Sequence, residues 1–142
     1  IESALTISET GHLAFGTLHT SDCSQTINRI IDVFPGHQQS QIRTQLSFVL
    51  QAVFCQQLLP KASGRGRILA AEVMVVNAAI RALVREEKVQ QIYSQIQTGG
   101  RLGMQTMNMS LAAHVRSGNV TYETARSRST DLEDLERILK RA

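Results

Sequence analysis

The chain has 142 residues, 42% of them hydrophobic and 19% charged, with a net charge of +3 and a mean hydropathy of −0.10. That is enough chain to bury one core, while no apolar run approaches the roughly 20 residues of a membrane-spanning helix. In residues 1–60 only Arg29 and Arg43 stand against Glu2, Glu9, Asp22 and Asp32, so the positive charge belongs to the later part. There it is interspersed with acids, and aromatics are few. This argues against a stacking surface for nucleic acid and for a solvated helical exterior.

The chain opens Ile-Glu-Ser-Ala-Leu, with no starting Met and no basic leader. Residues 1–10 read as the tail of a helix closed by Gly11, as expected of a piece of a longer polypeptide. The continuous apolar run Leu13–Leu18 then predicts a buried strand of a parallel sheet. His19, flanked by Thr17 and Thr20, falls at its carboxyl end, where open α/β sheets collect ligands. His12 falls at the other end, on the order of 23 Å away by strand rise, so the two histidines are expected to play separate parts.

Thr20-Ser21-Asp22 supplies helix-capping chemistry, and Ile27, Ile30, Ile31 and Phe34 follow at helical spacing until Pro35-Gly36. A second helix is predicted over about 38–51, with Ile42, Leu46, Val49 and Leu50 on one face. Two strands, Ala52–Leu59 and Ile68–Val76, flank the Gly-rich turn at 60–67 and read as an antiparallel hairpin. A charge at Glu72 within the second strand is expected to face a cleft, an interface or a basic partner. Asn77 caps a helix over 78–87 with Ile80, Leu83 and Val84 inward. Another follows over 89–97 with Ile92, Tyr93 and Ile96, then a break at Thr98-Gly99-Gly100. Met104, Met107, Leu111 and Val115 mark a helix ending at Gly118, and a short one begins near Thr121. Thr130 with Glu133 predicts a capping box opening a last helix through Leu132, Leu135 and Leu139. The fold class is therefore α/β: residues 1–76 form part of a sheet core with a hairpin, and residues 77–142 form an all-α unit.

Cys23 and Cys55 lie at unrelated spacing and read as small buried residues. His12, His19, His37 and His114 are spread widely, with no i, i+4 pair, so they do not make a metal site. His37 and His114 are expected at the surface. The sequence holds no G-x-x-x-x-G-K-[ST] phosphate loop and no strand-terminal acid of the kind that holds Mg²⁺. These residues alone are not expected to hydrolyse a nucleotide. Arg81 and Arg85 stand one helical turn apart and project from the same side, a pattern that an ordinary amphipathic helix also gives.

The segment Thr10-Gly-His-Leu-Ala-Phe-Gly-Thr-Leu-His-Thr20 closely resembles the His box of the secretion ATPase superfamily, pilus and secretion ATPases of the RecA-like P-loop class. Ala79-Ile-Arg-Ala-Leu-Val-Arg-Glu86 is similar to the A-I-R-N-L-I-R-E segment of its PilT-like members, the type IV pilus retraction ATPases of twitching motility. Gly103–Asn108, Arg29–Pro35 and Gln57–Pro60 add to the resemblance, which runs to about residue 130. It implies the C-terminal part of a RecA-like hexameric ring. ATP and Mg²⁺ would be bound mainly by a preceding part carrying the Walker A loop and the Walker B strand.

By resemblance His19 contacts the γ-phosphate, with Thr17 and Thr20 beside it, and His12 is the second His-box member. Ala79, Ile80, Arg81, Leu83, Arg85 and Glu86 belong to the segment that couples hydrolysis to retraction. Ala82 replaces Asn and Val84 replaces Ile there, and the first change removes an amide. The implied partners are further copies in a homo-hexamer and an inner-membrane pilus platform protein, at a cytoplasmic location peripheral to that membrane. A pilus-assembly or type II secretion ATPase is the alternative within the superfamily, although the tetracysteine zinc insertion of many such enzymes is missing. A non-enzymatic interaction module is the alternative outside it.

Overall fold

Alternating apolar residues on either side of a Gly-rich turn produce the one sheet among the described residues, which are 1–141 of the computed structural model. Strand β1 (Ala52–Pro60) pairs antiparallel with β2 (Arg67–Val75). Gly64 and Gly66, at φ +73° and +78°, give the turn left-handed backbone that only glycine adopts without strain. The register sets Val53 opposite Met74, Cys55 opposite Glu72 and Leu59 opposite Ile68. Val53, Cys55, Leu59, Ala70, Glu72 and Met74 are buried on one face, while Phe54, Leu58 and Leu69 stand exposed on the other.

Among the described residues eight α-helices surround this hairpin. Helix α1 (Glu2–Glu9) is followed by Gly11 at φ +87°. Helix α2 (Cys23–Asp32) begins at Asp22, whose carboxylate accepts the Gln25 N–H at 2.8 Å. Pro35 separates it from α3 (Gly36–Val49). Helix α4 (Ala78–Arg85) is capped by Asn77, which accepts the Ile80 N–H at 2.9 Å. A 3₁₀ turn (Val89–Gln91) leads into α5 (Ile92–Thr98), then α6 (Met107–Arg116), α7 (Tyr122–Arg128) and α8 (Leu132–Lys140) follow.

The hairpin serves two hydrophobic cores. At one end Met74 and Val53 pack with Ile27 and Ile31 of α2, Ile80 and Val84 of α4, and Ile92 and Ile96 of α5. At the other, Leu59 and Ala70 pack with Leu111, Ala112, Val120, Ala125 and Leu135. Gln105 extends the sheet by a single residue, exchanging backbone hydrogen bonds with Val73 at 2.9 and 3.1 Å.

Three sequence expectations are corrected. The strand over Leu13–Leu18 is not formed: residues 12–20 run without regular secondary structure, with Leu13 73% and Phe15 90% exposed. A buried parallel strand needs neighbours on both edges and cover on both faces, and among the described residues the sheet holds only β1 and β2, with the single-residue bridge from Gln105 to Val73 beside them. The last helix is capped by Asp131, not Thr130, because it is the Asp131 carboxylate that accepts the Asp134 N–H at 3.0 Å. His114 is half-buried, its Nε2 lying 2.8 Å from the Leu69 carbonyl oxygen of β2. The final residue of the expected 77–142 unit, Ala142, lies outside the described residues.

The last helix is held by a buried carboxylate. Asp134 accepts hydrogen bonds from the Tyr93 hydroxyl and Gln97 amide of α5 and the Asn108 amide of α6, and it pairs with Arg137. Burial opposes the charged form, but the hydrogen bonds from Tyr93, Arg137 and Asn108 outweigh it and hold the Asp134 carboxyl below its ordinary range. A depressed carboxyl contributes stability above its unfolded pKa of about 3.9, lost as pH falls through the lower folded value. Urea unfolding should therefore show Asp134→Ala destabilised by about 3 kcal/mol at pH 7, since several buried donors lose their acceptor. The difference from the parent should shrink as the pH is taken below 4.

Candidate functional site

His19 and Thr20 end the extended segment at the first turns of α2, and the two elements form a shallow cleft of about 460 Å³. Gln25, Asn28, Arg29, Asp32 and Val33 line the rest of it. These side chains come together because α2 buries Ile27, Ile30 and Ile31 and so turns Gln25, Asn28, Arg29 and Asp32 outward. Thr20 is fixed to the helix: its Oγ1 lies 2.7 Å from Thr26 Oγ1, which donates to the Asp22 carbonyl at 2.9 Å. The exposed His19 imidazole is thus carried at a defined position beside an amide-, guanidinium- and hydroxyl-lined surface, suited to oxygen-rich anionic groups.

The other His-box positions do not share the cleft. His12 Nδ1 lies 3.0 Å from Thr10 Oγ1, and the His12 N–H donates to the Ile7 carbonyl at 3.4 Å, so His12 belongs to the end of α1. Thr17 is exposed along the extended segment and lies outside the cleft lining.

Among the described residues Glu72 meets neither a cleft nor a basic side chain. It is 3% exposed beneath the start of α2, where its Oε1 accepts the Cys23 N–H at 2.8 Å and its Oε2 accepts the Met107 N–H at 3.3 Å. One carboxyl group thereby satisfies first-turn amides of two helices, α2 and α6. Sequence reading also missed what gathers here: Cys23, Cys55 and Glu72 place their donor atoms within 4.8 Å of one another, all buried. Thirty-odd residues separate the cysteines along the chain, and the signal lay in the hairpin register, which sets Cys55 directly opposite Glu72. A hydrogen bond to Cys55, burial and the nearby Glu72 together push the Cys23 thiol far up, so it stays protonated as a donor.

In α4 the two arginines point toward the end of α3 but do different things. Arg81 donates through Nη1 to the Ser47 and Phe48 carbonyls at 2.7 and 2.8 Å, closing the α3 terminus. Arg85 is exposed and lies over the Phe48 ring, 5.9 Å from its centroid. Ile80 and Val84 are buried, Leu83 is half-buried, and Ala79 and Glu86 are exposed. Glu86 pairs with Lys88 at 2.8 Å, and the Lys88 ammonium, with Arg85 nearby, holds its carboxyl below the usual range. Glu87 then takes φ +60°, left-handed backbone at the helix end, and pairs with Arg43 of α3 at 2.9 Å.

This fold and arrangement define a class. A family model described as type II/IV secretion system protein matches residues 1–127, and the chain belongs to that family. More particularly, it is similar to the type IV pilus retraction ATPase PilT of Pseudomonas aeruginosa, at 50% identity over 129 residues, 91% of this chain and 37% of that protein. It is 47% identical over 132 residues to the twitching motility protein of Neisseria gonorrhoeae, covering 93% of this chain and 35% of the relative. The crystal structure of the pilus retraction motor PilT with bound ADP superposes with a TM-score of 0.85 at 50% identity, over 96% of this chain and 38% of that one. The chain thus spans little more than a third of the length of these relatives.

The geometry separates the two arginines energetically. Arg81→Ala should cost about 2 kcal/mol in denaturant unfolding, because charge-assisted bonds to two carbonyls are lost. Arg85→Ala should cost no more than about 0.5–1 kcal/mol, the range of an exposed cation–π contact.

Proposed function

We propose that the chain is the C-terminal portion of a RecA-like ATPase that works as a homo-hexameric ring and couples ATP hydrolysis to type IV pilus retraction in twitching motility. The observation that carries this reading is the 50% identity across 91% of the chain to a pilus retraction ATPase. The equally extensive structural match to a retraction motor that holds ADP supports it.

In this reading residues 1–76 supply the C-terminal part of the RecA-like core with the His box, and residues 77–142 its helical subdomain. The cleft residues fit the phosphate end of a nucleotide: His19, Gln25, Asn28 and Arg29 offer N–H donors, and Thr20 a hydroxyl. They do not make a Mg²⁺ site by themselves, since Asp32 is the one carboxylate in the lining. The phosphate loop and most ligands of the metal then belong to the rest of the polypeptide. ATP with Mg²⁺ supplies the phosphoryl chemistry, and His19 contributes a hydrogen bond that depends on the terminal phosphate.

Coupling follows the packing. The cleft is built on α2, which shares a core with α4, and Arg81 ties α4 to the end of α3. A shift of α2 on nucleotide exchange is thereby passed to the 79–86 helix. Arg81 transmits within the subunit, whereas the exposed Ala79, Arg85 and Glu86 are free to meet a neighbouring subunit or the pilus platform protein at the cytoplasmic side of the inner membrane. No helix among the described residues is long and apolar enough to cross a membrane.

In the full-length polypeptide, His19→Ala should lower ATP turnover about 100-fold, the scale of removing one positioned transition-state donor, with the melting temperature unchanged. Unaltered turnover would remove His19 from the site. Arg85→Ala should reduce retraction, followed as twitching or force generation, more than it reduces hydrolysis. An equal loss of both would assign Arg85 to the ring itself.

A further inference from the structure

We propose that Cys23, Cys55 and Glu72 form a binding site for a thiophilic divalent cation of the Zn²⁺ type, which clips the start of α2 to the inner face of the hairpin. Three features on separate elements converge here. Cys55 on β1 and Glu72 on β2 are direct cross-strand partners, and Cys23 is the first residue of α2, seated over them. Their ligand atoms all lie within 4.8 Å of one another. Tetrahedral Zn²⁺ with bonds of about 2.3 Å to sulfur and 2.0–2.2 Å to carboxylate oxygen sets neighbouring ligand atoms about 3.5–3.8 Å apart, inside that limit.

The donor set selects the metal class. Two sulfurs and one oxygen favour Zn²⁺, Co²⁺ or Cd²⁺ over Mg²⁺ or Ca²⁺, which require oxygen shells. Thr26 Oγ1, 3.6 Å from Cys55 Sγ, offers an oxygen for the fourth position. Two thiolates and a carboxylate around a dication leave one excess negative charge. The first-turn N–H groups of α2 and α6 already point at Glu72 and oppose it. Each Glu72 oxygen accepts one N–H there, so each keeps a lone pair for a metal. A disulfide between the same sulfurs would leave the Glu72 carboxyl beside an apolar bridge, whereas a cation engages all three groups. Binding expels the thiol protons to solvent and changes no oxidation state.

The consequence is mechanical. Thr26, in contact with Cys55, is also the residue that holds Thr20 next to His19. A bound metal would stiffen the support of the cleft without entering it.

The test is an anaerobic titration of the reduced protein with Co²⁺. One equivalent should give thiolate-to-cobalt charge-transfer absorption and tetrahedral ligand-field bands, and one equivalent of Zn²⁺ should abolish them. Cys55→Ser keeps nearly the same shape and should eliminate the charge-transfer band at stoichiometric metal, weakening binding about 100-fold or more, at least the scale on which merely supporting partners act. Thermal unfolding without metal confirms that this variant is folded. Cys23→Ala, which retains the backbone amide bound to Glu72, is the second variant and should behave alike. Zn²⁺ should raise the melting temperature of the parent and of neither variant. No thiolate band in the reduced parent at one equivalent, or a band that persists in both variants, would overturn the proposal.

Discussion

The hairpin carries the rest of the fold through one buried carboxyl group. Glu72 stands on the inner face of β2 and receives the first-turn N–H groups of both α2 and α6. Burying such a group is costly unless it is hydrogen-bonded, and the amides at two helix N-termini give each of its oxygens one hydrogen bond. The contact fixes where both helices start. From α2 follows the cleft that carries His19 and Thr20, and from α6 follows the second core with α7 and α8. Asp22 and Thr106 add ordinary side-chain caps at the same two helix starts, so the local and tertiary anchors agree.

Polar groups with both local and distant partners recur through the chain and account for its compact connections. Asp134 draws α5, α6 and α8 together, and Arg81 closes α3 from α4. The 79–86 helix is therefore a divided surface. Its buried side packs into the core and Arg81 is half-buried against the end of α3, while Ala79, Arg85 and Glu86 are exposed. The positive φ of Glu87 just beyond the helix, held by Arg43, marks where the chain is bent to present that outward side. One short amphipathic helix thereby gives its two arginines different surroundings, Arg81 on the α3 carbonyls and Arg85 exposed over Phe48.

Much of this architecture was legible because it is local. The apolar spacing of Ile27, Ile30 and Ile31, the Asp22 and Asn77 caps and the Gly-rich turn of the hairpin depend on neighbours a few residues away. So do the helix boundaries at Pro35 and Gly118. The failures were of another kind. Leu13–Leu18 has the composition of a buried strand, yet a strand is a property of its partners, and no described strand lies beside it. Thr130 and Asp131 are both good caps, and the choice fell to the residue whose carboxylate reaches the Asp134 N–H. Glu72 looked like a charge seeking a cleft because its real partners, the amides of Cys23 and Met107, are 49 and 35 positions away.

By itself the sequence determined the hairpin, most of the helices, the Asn77 cap, the buried stripes and the two motif segments, since these follow from periodicity and residue chemistry over one or two turns. It also placed His19 at the end of an apolar run beside hydroxyls. Only the tertiary structure decided that His19 meets α2 while His12 stays with α1, that Arg81 turns inward while Arg85 remains outside, and that Cys23, Cys55 and Glu72 converge. The reason is that burial and long-range hydrogen bonding are settled by which surfaces meet, and strand register, not sequence spacing, sets who stands opposite whom.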